Sequence, residues 1–193
     1  MTAEKIMVVH DGGTPWWVPL AVGLGVAVVA AAVSYAATWW FKKRDVEREN
    51  AFRAVDIVDE AEQIAARQER WEAEGGAGAV LRLLQEARVR AQPLRSRELD
   101  ERFQAAMDYL TTFMFGRQEQ QQPGGWKGWL REAIANIREG LVPYLAAPRL
   151  LPSRRDGMLE RSFPTLAELQ AMPHGGDGQQ LIDALVAWKA AQA

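Results

Sequence analysis

Twenty-one residues from Val18 to Thr38, VPLAVGLGVAVVAAAVSYAAT, carry no formal charge, and this run constrains the chain more than any other. As a helix rising about 1.5 Å per residue it reaches about 31 Å, close to the roughly 30 Å hydrocarbon core of a bilayer. Eight of its residues are Val or Leu. Near a membrane centre each favours insertion by roughly 0.3 to 0.6 kcal/mol, and no charge opposes them. Trp16 and Trp17 stand at one end and Trp39 and Trp40 at the other, where amphipathic rings prefer the two headgroup layers. Thr14, Pro15 and Pro19 suit the first helical turn, so the pattern predicts a transmembrane helix over 16–41.

Two other readings fit less well. A buried helix of a soluble protein has no reason for paired tryptophans at both ends and seldom runs this long without a polar position. A cleaved export signal would find small residues at Ala30 to Ala32, but the segment before the run lacks a positive excess.

The flanks set the expected orientation. Residues 1–15 hold Lys5 against Glu4 and Asp11, whereas the other side opens with Lys42, Lys43 and Arg44, followed by Arg48 and Arg53. Cations stay on the cytoplasmic side. The expectation is a single-pass protein of a bacterial cytoplasmic membrane, with a short extracytoplasmic tail at 1–15 and everything after the span inside. Gly23, Ala27 and Ala31 recur at intervals of four and form a candidate face for a homodimer.

Beyond the cations the chain reads as all-α, with no alternating run that would suggest strands. A first helix continues the span to about Ala73, with Ala51, Val55 and Val58 on one row and Phe52, Ile64 and Trp71 on another. The tract Glu74 to Gly78 interrupts it. A second helix carries Val80, Leu81, Leu83, Leu84, Ala87 and Ala91 and stops before Pro93. The third has Ser96 as a cap, acids at Glu98, Asp100 and Glu101, and an apolar stripe of Leu99, Phe103, Ala106, Leu110 and Phe113. After the glutamine-rich linker Arg117 to Gly125, a fourth helix runs from Trp126 to about Pro143.

Four amphipathic helices with short connections imply a small antiparallel bundle over 42–147. A Pro- and Arg-rich connector fills 148–164. Two short helices follow over 165–193, each behind a capping-box pattern, Thr165 with Glu168 and Asp177 with Gln180.

The order of these parts resembles single-span membrane proteins of actinobacteria and their phages, a group without a known activity. The matching elements are WWVPL at Trp16 to Leu20, WFKK at Trp40 to Lys43, RENAFRAVD at Arg48 to Asp56, LRLLQEARVRA at Leu81 to Ala91, and FQAAMDYL at Phe103 to Leu110. The resemblance covers about residues 15–147, implies a cytoplasmic helical bundle, and brings no catalytic residue with it.

Chemistry is sparse. The chain has no cysteine, which removes disulfides, thiolate metal sites and cysteine nucleophiles. Its histidines, His10 and His174, fall on opposite sides of the expected membrane. The glycine tracts lack the Lys-Ser/Thr of a phosphate loop. No catalytic, cofactor-binding or metal-ligating residue is expected. A formal charge of -2 gives no field for nucleic acid.

Arg82, Arg88, Arg90, Arg95, Arg97 and Arg102 crowd the turn between the second and third helices, but interleaved acids make that surface read as a solvated face. Arg149, Arg154, Arg155 and Arg161 of the connector are candidates for contact with anionic lipid headgroups or with a protein partner. The expected function is a membrane-tethered, non-enzymatic interaction or scaffold module. The alternative is a phage-encoded membrane-perturbing protein, active in lysis or exclusion through oligomerised spans.

Overall fold

The computed structural model describes residues 17–115, 125–145, 161–173 and 178–192. Among them every regular element is helical: α1 (Trp17–Ala66), α2 (Gln68–Ala73), α3 (Gly76–Ala91), a 3-10 turn (Gln92–Leu94), α4 (Arg97–Phe115), α5 (Trp126–Leu145), α6 (Leu166–Ala171) and α7 (Gln179–Ala190). The protein is all-α. The chain divides into two compact units, Met1–Lys43 and Arg44–Ala193.

The described part of the first unit is the apolar portion of α1. Its 18-residue window of highest mean hydropathy, 2.1, is 0% buried, so none of it is covered by the chain itself. This helix is long and apolar enough to cross a membrane. Thr38 returns its hydroxyl to the Ser34 carbonyl at 2.8 Å, which satisfies within the helix a donor that lipid would not.

The second unit is a helical bundle around one core. From α1 come the small residues Ala51, Ala54 and Ala61 with Val58 and Ile64, all buried. The large side chains come from α4, whose Leu99, Phe103, Tyr109, Leu110 and Phe113 are buried along with Ala105 and Ala106. That stripe is wider than a helix with a single partner needs, because α4 packs against α3, α5 and α6. Leu130, Ile134, Ile137 and Leu141 of α5 close the core.

Several boundaries differ from the sequence reading, each for a local reason. The long first helix breaks at Arg67, which is extended at φ -109 and ψ 118, although no glycine or proline stands there. The short α2 that follows carries Trp71, whose ring meets Trp126 edge-on at 5.4 Å. Tertiary packing of that indole accompanies a bend that no local residue requires. The first helix thus ends seven residues earlier than its apolar pattern.

The glycine tract makes only a tight turn, with Gly75 and Gly76 at φ +86 and +57, and α3 begins directly at Gly76. A Cβ on Gly76 would lie 2.9 Å from Trp71 Nε1, so the turn needs glycine twice over. Pro143 sits inside α5, which continues to Leu145.

The core does not stop at α5. Phe163, Leu169, Leu181, Ile182 and Leu185 are buried in the same cluster as α4 and α5, so the C-terminal helices belong to the bundle. The Thr165 and Glu168 capping box is formed, with the Glu168 amide donating to Thr165 Oγ1 at 3.1 Å and the Thr165 amide donating to Glu168 Oε2 at 2.7 Å. Asp177 lies outside the described residues; the N-cap of α7 is Gly178, at φ 63.

Gly140 faces α4, and a Cβ there would lie 3.0 Å from Arg102 Cδ and 3.1 Å from Leu99 Cδ1. Arg102 is pinned at its guanidinium and cannot yield. Gly140→Ala should therefore lower stability by about 1 to 3 kcal/mol. Gly128→Ala, with open space around its Cβ, should raise it by roughly 0.5 to 1 kcal/mol. Urea unfolding of the full chain in neutral detergent, read by near-UV circular dichroism, separates the two.

Candidate functional site

The anchor residues fall along α1 as their spacing requires. Trp17 and Trp39 are exposed near the two ends of the apolar run, and the Lys43 ammonium lies 5.5 Å from the Trp39 ring centroid. Trp40 and Phe41 meet edge-on at 5.3 Å. Lys42 and Lys43 close the first unit, and Arg44 opens the second. Gly23, Ala27 and Ala31 are all exposed on the helix. Trp16, Arg149, Arg154 and Arg155 lie outside the described residues, as do His10 and His174.

Arg161, a candidate for lipid or partner contact, faces the bundle. Its Nη2 is 3.6 Å from Glu101 Oε2 and its Nε 3.9 Å from Glu98 Oε1. Beside it Ser162 donates to Glu139 Oε2 at 3.2 Å, and Phe163 packs edge-on against Tyr109 at 5.6 Å. The stretch from Arg161 to Phe163 fastens the C-terminal helices to α4 and α5.

Arg102 is a charged group buried in the bundle, 2% exposed. Its Nη2 donates to Glu98 Oε1 at 2.8 Å, one turn earlier on α4, and its Nη1 donates to the Asn136 carbonyl at 2.8 Å and to Asn136 Oδ1 at 3.0 Å. Glu98 and Asn136 are themselves 8% and 1% exposed. Removing a guanidinium and a carboxylate from water costs several kcal/mol per ion, and their pairing offsets it only with additional hydrogen bonds such as those from Asn136. The trio fixes the register of α4 on α5.

A second buried polar contact lies nearby on the same pair of helices. The Tyr109 hydroxyl donates to the Trp126 carbonyl at 2.9 Å. Burial holds its phenol far above the ordinary range. Trp126 in turn stacks on Phe113 at 5.7 Å, and the Lys127 ammonium lies 4.6 Å from the Trp71 ring centroid.

A cavity of about 400 Å³ opens where α3 turns into α4. The Arg88 guanidinium crosses it to grip Asp100 with two bonds, Nε to Oδ1 at 2.7 Å and Nη2 to Oδ2 at 3.1 Å. The Gln104 amide oxygen also accepts from Arg88 in the orientation that this network favours. Ser96 caps α4 by accepting from the Leu99 amide at 3.1 Å. Arg97 is exposed and pairs with Glu101 at 3.0 Å. Arg95 is exposed, makes no ion pair among the described residues, and has a left-handed backbone at φ 52 and ψ 32. For a residue with a Cβ that conformation costs on the order of 1 kcal/mol.

Among the described residues no group of three or more His, Asp or Glu side chains is placed to hold a metal ion. No family model, curated protein or solved structure matches the chain. The functional reading therefore rests on residue chemistry. Sequence reasoning missed the Glu98, Arg102 and Asn136 trio and the cavity. The only signal for the trio was the i, i+4 spacing of Glu98 and Arg102, which surface pairs share.

Two outcomes test this geometry. Arg102→Met removes the guanidinium that pairs with Glu98 inside the bundle, and should cost about 3 to 5 kcal/mol of stability. Adding Glu98→Gln should recover part of that loss in a double-mutant cycle.

The Glu168 carboxyl is held below the usual carboxylate range, first by the Thr165 amide. Its stabilisation is thus present above the unfolded value near pH 4.3 and lost as pH falls through the lower folded one. The stability gap between the parent chain and Glu168→Ala should stay constant from pH 7 to about pH 5 and narrow from there to pH 3 in urea titrations.

Proposed function

We propose that this protein is a membrane-tethered, non-enzymatic interaction module, with its N-terminal side outside and its helical bundle at the cytoplasmic face of a bacterial inner membrane. The observation that carries the reading is the contrast between the two units. The apolar window of α1 has mean hydropathy 2.1 and is wholly uncovered, while the bundle closes its core using residues from Ala51 onward. An exposed apolar surface of that extent is not tolerated by a monomer in water, and a bilayer is the solvent that suits it.

Orientation rests on the cations Lys42, Lys43, Arg44 and Arg48, which follow the span at once, against the acidic Glu4 and Asp11 before it. The non-enzymatic part rests on where the buried polar groups go. Arg102 bonds Glu98 on its own helix and Asn136 across on α5, an arrangement that joins the two helices. The resemblance to single-span actinobacterial and phage proteins agrees with this reading.

Because the chain has no cysteine, topology can be tested without background. Thr2→Cys should react with an impermeant maleimide in intact cells, and Ala191→Cys should react only after the cells are opened. The reverse pattern would overturn the orientation, and release of the full chain by alkaline carbonate would overturn the span. Photo-crosslinkers at exposed Val142 and Val186 should yield adducts with a second protein in cells; silence at both would remove the interaction role.

A further inference from the structure

The cavity between α3 and α4 has a chemistry that the anchor-and-bundle reading does not use. Three guanidinium groups line it, Arg88, Arg95 and Arg97, against the single carboxylate of Asp100. Arg88 and Asp100 neutralise each other through their paired bonds. Arg95 is left with no ion pair among the described residues, and Arg97, its side chain 90% exposed, is held only by a surface pair with Glu101 at 3.0 Å, a contact worth little in water.

We infer that this cavity binds a phosphate monoester, held by Arg95 and Arg97 in the cleft that the Arg88 and Asp100 pair braces. A phosphate monoester carries about 1.5 to 2 negative charges at neutral pH, enough to answer Arg95 and to draw Arg97 from its exposed pair with Glu101, which one carboxylate would do less well. Guanidinium groups also present forked donors that suit phosphate oxygens. The volume of about 400 Å³ admits the phosphate together with a small organic group such as a glycerol.

Arg95 adds a second argument. Its left-handed backbone is one that glycine adopts freely, so an arginine there places a cation at the mouth of the cavity at the expense of local strain. Stability and binding should therefore move in opposite directions when that side chain is removed, which a merely structural turn residue would not show.

The phosphate can come from a soluble ester or from a lipid headgroup, and two arms separate these sources. In the first, calorimetry titrates glycerol 3-phosphate into the full chain in neutral detergent. In the second, native mass spectrometry counts phosphatidic acid retained by the full chain against phosphatidylcholine. Arg95→Gly should keep or raise the melting temperature while weakening binding about tenfold or more, and Arg97→Gln should weaken it similarly. Arg90→Gln, on α3 but outside the cavity and paired with Glu86, should leave binding unchanged.

Binding in the first arm that follows this variant pattern assigns a soluble ester; binding in the second arm alone, with the same pattern, assigns a lipid headgroup. Absence of binding in both arms overturns the inference, and so does binding that Arg95→Gly and Arg97→Gln leave intact.

Discussion

Arg102 has its guanidinium almost entirely removed from water, and the surrounding helices are arranged so that this is tolerable. Glu98 supplies the counter-charge from the preceding turn of α4, and Asn136 supplies a carbonyl and an amide oxygen from α5. Gly140 leaves the space in which the arginine stem lies. Arg161 approaches the same carboxylate from beyond α5 and ties the C-terminal segment to it. A lone buried charge would destabilise the bundle by several kcal/mol, so displacement of any of these elements is penalised by the exposure of an unmatched group. Apolar packing alone holds helices together but permits them to slide; this network selects one register.

The same logic explains why α4 is the central helix. Its apolar stripe contacts α3, α5 and α6, and its charged residues meet partners on each side: Asp100 reaches Arg88 of α3, Arg102 reaches Asn136 of α5, and Glu101 reaches Arg161 ahead of α6. The bundle is closed by its own residues, whereas the apolar run of α1 is left for another solvent. The apolar run and the core residues thus lie in separate stretches of sequence, so a helix long and apolar enough to cross a membrane can be read by length and composition without knowledge of the bundle.

The all-helical class was legible because helical periodicity and the caps at Ser96 and Thr165 are local signals, written within four residues of where they act. The α4 stripe of Leu99, Phe103, Ala106, Leu110 and Phe113 was legible for the same reason. The break at Arg67 was not, since it accompanies the seating of Trp71 on Trp126, a residue fifty-five positions later. Nor was the cavity at the α3 to α4 turn. The arginines there read as a solvated face because sequence shows their interleaving with acids but not which acid each one meets.

The sequence by itself determined where apolar surface must go: one uncharged stretch of membrane length between Trp17 and Trp40, and amphipathic stripes that have to be buried against each other. These follow from hydropathy and period, properties that a residue carries wherever it lies. Only the tertiary structure decided that Phe163 and the last two helices complete the core, that Arg161 turns to Glu98 and Glu101, and that Arg102 is buried while Arg95 and Arg97 are left at the mouth of a cavity. Those assignments depend on pairings between residues far apart in the chain, and the energy of a charge is set by what stands next to it in space.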